Sequence, residues 1–101
     1  MANFVRVAAT AEIPAGQGKT VEVSGKQIAV FNCDGAFYAI DNVCKHRGGP
    51  LGEGELDGMN VICPWHGWTY NVTNGECLDE PDCHVDKYDV RVEGDDVLVA
   101  L

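Results

Sequence analysis

Residues 44–51, Cys-Lys-His-Arg-Gly-Gly-Pro-Leu, and residues 63–68, Cys-Pro-Trp-His-Gly-Trp, decide how this chain is read. The first run holds Cys44 and His46, and the second holds Cys63 and His66, with sixteen residues between His46 and Cys63. Two thiolates and two imidazoles make a four-ligand metal set drawn from two arms. A structural zinc site also takes two cysteines and two histidines, but it normally places the cysteine pair before the histidine pair. The order here is Cys, His, Cys, His. A nucleophilic cysteine–histidine pair needs a third group to orient the base, and neither arm brings one. Iron–sulfur centres normally use four thiolates; exchanging two for neutral imidazoles on one iron removes negative charge and raises the reduction potential. Spacing alone leaves the zinc and iron–sulfur readings open.

The flanks add to this. His46 is followed by Arg47-Gly48-Gly49-Pro50-Leu51 and His66 by Gly67-Trp68. These runs closely resemble the two cluster loops of Rieske-type 2Fe–2S ferredoxins. The specific match covers Asp41 to Tyr70, and the pattern of short strands around it extends over nearly the whole chain. The resemblance implies one 2Fe–2S cluster, with Cys44 and Cys63 on one iron and His46 and His66 on the other. It also implies that the histidines face solvent at the tip, where the electron leaves. Gly48, Gly49 and Gly67 are then expected to turn tightly and bring backbone N–H groups to the sulfides. Pro50 and Pro64 stiffen the arms, while Leu51, Trp65 and Trp68 keep water off the iron. Lys45 and Arg47 flank His46, either to act in docking or simply as exposed loop charges. Tyr70 is expected to donate its hydroxyl to a ligating sulfur, with Cys63 the expected acceptor.

Departures from the high-potential branch of that family narrow the resemblance. Rieske proteins of respiratory and photosynthetic cytochrome complexes carry two further cysteines joined in a disulfide, and those positions are Gly49 and Trp65 here. A serine that donates to a bridging sulfide is replaced by Trp68. The tyrosine counterpart is kept as Tyr70. The chain therefore resembles the soluble, low-potential ferredoxins.

At 101 residues the chain is expected to be one small domain, of a size at which a core alone gives modest stability and a bound metal adds to folding. No long apolar run suggests a membrane span, and the start MANFVRVAAT lacks the apolar core of a signal peptide. Of five cysteines, two are assigned as ligands. Cys33, Cys77 and Cys83 remain, an odd number that suits a reducing, cytoplasmic setting. Cys77, Cys83 and His84 match no specific second metal site. The formal charge is −9, and residues 76–101 carry −7 of it, with nine acids against Lys87 and Arg91. Nucleic acid, a polyanion, is not expected as a partner. An acidic face can steer a basic protein partner or serve only as solubilising surface.

Alternating runs predict strands at 3–8, 19–23, 27–32, 36–40, 59–62, 69–72, 76–78, 88–92 and 97–101. Asp34-Gly35 is the strongest hairpin signal. The strands up to residue 40 are expected to form one antiparallel sheet. The fold class is all-β: a base sheet or barrel at approximately 1–41 and 76–101, with a cluster-binding insertion at approximately 42–75, as in the Rieske family.

The expected function is that of a monomeric electron carrier, not an enzyme, passing single electrons from a flavin-dependent reductase to a terminal oxygenase that hydroxylates aromatic rings. The oxygenase itself needs a further iron held by two histidines and a carboxylate. Three histidines are present, two are assigned, and His84 alone cannot supply the pair. Two other readings are the small subunit of an assimilatory nitrite reductase, in many of which the cluster ligands are missing, and a zinc-stabilised interaction module.

Overall fold

Both tight turns of the N-terminal half are two-residue hairpin loops with positive φ at each position: Ser24 (52°) with Gly25 (79°), and Asp34 (56°) with Gly35 (95°). That is the geometry whose twist matches flanking strands, and it joins β2 (Gln17–Val23), β3 (Lys26–Cys33) and β4 (Ala36–Asp41) into an antiparallel sheet. The structure is a computed structural model that describes residues 4–44, 48–65, 67–80 and 82–100.

The strands before residue 41 do not all share one sheet. β1 (Phe4–Ala9) leaves β2 and pairs instead with the C-terminal strand, here β10 (Asp96–Ala100). Its exit is a 3-10 turn at Thr10–Glu12, where the Ala9 N–H donates to the Glu12 carboxylate at 2.6 Å, and Pro14 follows soon after without an N–H to offer. The expected strand at 88–92 also divides. β8 (Lys87–Tyr88) extends the β4 edge, and β9 (Val90–Glu93) pairs with β10. Asp89 is the crossing point, its carbonyl accepting the Ala100 N–H at 2.9 Å.

A third sheet holds β5 (Glu55–Asp57), β6 (Asn60–Ile62) and β7 (Thr69–Asn71). β5 has no alternation to betray it, being three residues with acids at both ends, and it exists because Leu56 pairs with Val61. Residues 76–78 are not a strand. They contribute isolated bridges, Tyr70 to Cys77 and Glu76 to His84.

β3 serves two cores. Its odd residues Ala29, Phe31 and Cys33 pack with Leu51, Val61, Tyr70, Val72 and Val85. Its even residues Ile28 and Val30 pack with Ala8, Ile13, Val97 and Val99. Alternation along a strand sends neighbouring side chains to opposite faces, so β3 is a wall between the β1–β10–β9 sheet and the third sheet. Each large apolar side chain buried there contributes roughly 1.5–3 kcal/mol.

Candidate metal centre

Cys44 lies just beyond β4 and Cys63 directly after β6, and the two loops that start there are closed in the same way. The Cys44 carbonyl accepts the Gly48 N–H at 2.7 Å, and the Cys44 N–H donates to the Gly49 carbonyl at 3.0 Å. In the second loop the Cys63 carbonyl accepts the Gly67 N–H at 3.0 Å, and the Cys63 N–H donates to the Trp68 carbonyl at 2.7 Å. The glycine four residues after each cysteine sits at φ +74° and +75°, where a β-carbon costs roughly 1–2 kcal/mol. His46 and His66 stand at different offsets from their cysteines, yet the glycines stand at the same one.

The loops meet at two places. A β-carbon on Gly49 would lie 2.8 Å from Cys63 Sγ and 3.1 Å from Trp65 Cγ. The first loop's backbone therefore presses on the second cysteine and its indole neighbour. The two positions that carry the extra disulfide in the high-potential branch are thus adjacent here too, filled by a glycine and an indole. The second meeting point corrects an expectation. Tyr70, fully buried, places its hydroxyl 3.4 Å from the sulfur of Cys44, whereas the sequence reading named Cys63. Tyr70 pairs across β7 with Val61, two residues short of Cys63, and its ring extends under the opposite loop.

Both thiols are 1% exposed. Leu51 is fully buried, and Trp68 packs against the same apolar cluster. Trp65, expected as cover, is 58% exposed, with only its inner edge over Gly49. Pro64, Gly48 and Gly67 are exposed, and Pro50 is half-buried. Lys45, His46, Arg47 and His66 lie outside the described residues. Among the described residues, no group of three or more His, Cys, Asp or Glu side chains gathers at Cys77, Cys83 and His84 or elsewhere.

Asn42 is a residue that sequence reasoning missed. It is 1% exposed, and its Oδ1 accepts from the Thr20 hydroxyl at 2.9 Å and the Gly52 N–H at 2.7 Å. Its Nδ2 donates to Gln27 Oε1 at 3.2 Å, and its carbonyl accepts the Leu51 N–H at 2.7 Å. Asn42 therefore ties both ends of the first loop to β2 and β3. Its signal was a polar residue wedged between Ile40 and Val43, two positions before Cys44.

Two buried thiols on matched loops, a backbone cradle against one sulfur and a hydroxyl beside the other, suit an inorganic cluster held by thiolate. Comparisons agree. The Rieske [2Fe-2S] domain family matches residues 3–95. The chain is 33% identical to the ferredoxin component of the naphthalene 1,2-dioxygenase system of Pseudomonas aeruginosa, over 98% of this chain and 96% of that one. Its structure is similar to the ferredoxin of carbazole 1,9a-dioxygenase from Nocardioides aromaticivorans IC177, with TM-score 0.90, 30% identity and 97% of each chain covered. It is similar as well to a chain in a complex of reduced oxygenase and oxidized ferredoxin in carbazole 1,9a-dioxygenase, with TM-score 0.88, 30% identity, and 96% and 92% covered. The putative NADH-dependent nitrite reductase small subunit of Mycobacterium tuberculosis shares the fold at TM-score 0.92 and 27% identity, over 100% and 96% of the chains. With its two matched cysteine loops and an all-β frame, the chain belongs to the Rieske [2Fe-2S] domain family and is a ferredoxin-type electron-transfer protein with one Rieske-type 2Fe–2S cluster.

Proposed function

We propose that Cys44 and Cys63 hold one iron of the cluster and His46 and His66 the other, and that the chain carries single electrons from a flavin-dependent reductase to a terminal, ring-hydroxylating oxygenase. The observation that carries this reading is the pair of matched loops, each closed on a buried cysteine of one core cluster, in a chain similar along its whole length to dioxygenase ferredoxins. When bound, the cluster accepts and releases one electron. The protein's own part is to exclude water with Leu51 and Trp68, to press Gly49 against Cys63, and to set the Tyr70 hydroxyl at Cys44. We assign residues 42–75 to holding the cluster and 1–41 with 76–101 to the base, in one domain that works in the cytoplasm as a monomer. The nitrite reductase likeness favours a second reading, a small subunit of such a complex; the four ligand-type residues of the two arms weigh against it, since many such subunits lack them.

The direct test is reconstitution. Added to the reductase and oxygenase components of a naphthalene dioxygenase system, the protein is expected to restore product formation when the native ferredoxin is left out. No product, alongside normal one-electron redox behaviour, would sink the oxygenase assignment for that partner class.

Charge bears on docking. Among the described residues, the cations are engaged at the base: Arg6 with Asp96, Lys19 with Glu12, Lys87 with Asp89, Arg91 with Glu93, and Lys26 over the Tyr88 ring. These exposed pairs add little stability, but they leave the acidic C-terminal third with a large net negative charge. If that charge steers a partner, electron delivery from the reductase falls as salt rises, since exposed charges are screened beyond about 8–10 Å at ordinary ionic strength. A rate flat from low to moderate salt assigns the charge to solubility alone.

Tyr70 gives a sharper handle. With Cys44 as a thiolate, the hydroxyl is the donor, and it stabilises the reduced centre more than the oxidised one because reduction adds negative charge. A differential contribution of about 1 kcal/mol corresponds to about 40 mV for a one-electron couple. Tyr70→Phe is expected to lower the midpoint by roughly 20–60 mV with the cluster retained. Voltammetry of the two proteins checks this, and equal midpoints remove the hydrogen bond from the account.

A further inference from the structure

The bridge between Glu76 and His84 is antiparallel, and that register sets Cys77 directly opposite Cys83. The Cys77 N–H donates to the Cys83 carbonyl at 3.1 Å, while the Cys83 N–H turns back to the Glu80 carbonyl at 3.0 Å. The two residues make one of the two backbone bonds of a hydrogen-bonded antiparallel pair, in which opposite Cα atoms stand about 5.5 Å apart with side chains on one face. That is within the span a disulfide bridges. Both side chains pack against the core cluster that holds Cys44, Cys63 and Tyr70. Tyr70 is itself bridged to Cys77, and its hydroxyl lies 4.0 Å from the Cys83 sulfur and 3.4 Å from that of Cys44.

We propose that Cys77 and Cys83 are a reversible dithiol–disulfide site, oxidised by small-molecule disulfides, whose state reaches the cluster through the hydroxyl of Tyr70. The two thiols are unequal. Cys77 is 6% exposed and Cys83 is half-buried. Burial, with the adjacent Cys83 thiol adding to it, pushes the Cys77 thiol up against the opposing backbone N–H groups of Asp79 and Glu80. Cys83 therefore reacts first. Its thiolate attacks oxidised glutathione, forming a mixed disulfide and releasing one glutathione thiol. The Cys77 thiolate then attacks the Cys83 sulfur, forming the internal disulfide and releasing the second glutathione thiol. Two protein thiols lose their protons and two electrons, and one glutathione disulfide gains both. In the dithiol the Tyr70 proton goes to Cys44, so the Cys83 S–H can only donate to the Tyr70 oxygen. Closure draws the Cys83 sulfur toward Cys77 and removes that donor, which weakens the hydroxyl's bond to Cys44 and stabilises the reduced centre less.

The link to the cluster rests on Cys44 being a ligand; the disulfide itself does not. The holoprotein is equilibrated in glutathione buffers of rising oxidised fraction, alkylated, and mapped by mass spectrometry. Expected is a peptide in which Cys77 and Cys83 both escape alkylation, restored by excess reduced glutathione. Cys77→Ser is expected to stop at a Cys83–glutathione adduct, and Cys83→Ser to leave Cys77 largely alkylatable. Two thiols that remain alkylatable together, or that take up glutathione independently in the wild type, overturn the site. The cluster midpoint is then expected to fall on oxidation in the wild type and to stay fixed in Tyr70→Phe. A wild-type midpoint that is unchanged or rises overturns the coupling alone. Cluster retention in Cys44→Ala would instead remove the ligand assignment on which the coupling stands.

Discussion

Replacing either Cys44 or Cys63 with alanine is expected to give a colourless protein without bound iron or acid-labile sulfide, where the wild-type chain holds the full [2Fe-2S] complement. Each thiol is 1% exposed and sits at the base of a loop closed on that same residue by backbone hydrogen bonds. No other cysteine is set on a loop of this kind: Cys77 and Cys83 flank the bridge between Glu76 and His84, and Cys33 ends β3. Histidine replacement separates the iron readings. His46→Ala or His66→Ala is expected to abolish the histidine-type electron spin resonance signal, because mixed ligation sets both that signal and the raised potential. Metal and sulfide analysis with visible absorption is the check. One zinc and no sulfide in the wild type would end the iron–sulfur reading of these residues. In a chain this short the loss should also lower the unfolding temperature, since metal binding is part of the folding free energy.

Phe31→Ala carries the largest expected stability loss outside the metal ligands. The ring is fully buried in the core that carries both cysteines and Tyr70. It also lies so close to Gly18 that a β-carbon there would stand 2.5 Å from two ring carbons. Removing it opens a cavity against a backbone that cannot fill it. Losses of about 3–5 kcal/mol are usual for such a change, against total stabilities of about 5–15 kcal/mol. Urea unfolding of the loaded proteins measures it, with Phe31→Leu as the milder companion. A loss under about 1 kcal/mol would mean that β2 and the segment at Gly52 collapse into the gap, contrary to the packing described.

The two cysteine loops could be read from the chain because their turns are local: each cysteine and the glycines that let its loop turn lie within six residues of one another. The Asp34-Gly35 hairpin was legible for the same reason. Pairings made across the chain were not. Nothing in Phe4–Ala9 says that its partner is Asp96–Ala100 rather than β2, because alternation specifies a face and not a neighbour. β5 is too short to alternate. The acceptor of Tyr70 depends on where a ring lands after two loops have met, and the sequence orders Cys63 nearer to it than Cys44. Asn42 looked like a loop residue because its partners, Thr20, Gln27 and Gly52, are scattered along the chain.

The closure of each cysteine loop on its own backbone has a bearing on speed. Gly48 to Cys44 and Gly67 to Cys63 are bonds within the polypeptide, and Asn42 clamps the first loop at both ends. The positions of the two sulfurs are thus held by the protein and not by the charge on whatever they bind. When an electron arrives or leaves, little inner-sphere work goes into moving ligands, and the reorganisation that limits transfer falls mainly on surrounding water and on the partner. A carrier must be quick both in accepting and in giving, and a rack of backbone hydrogen bonds makes the outward and return journeys alike.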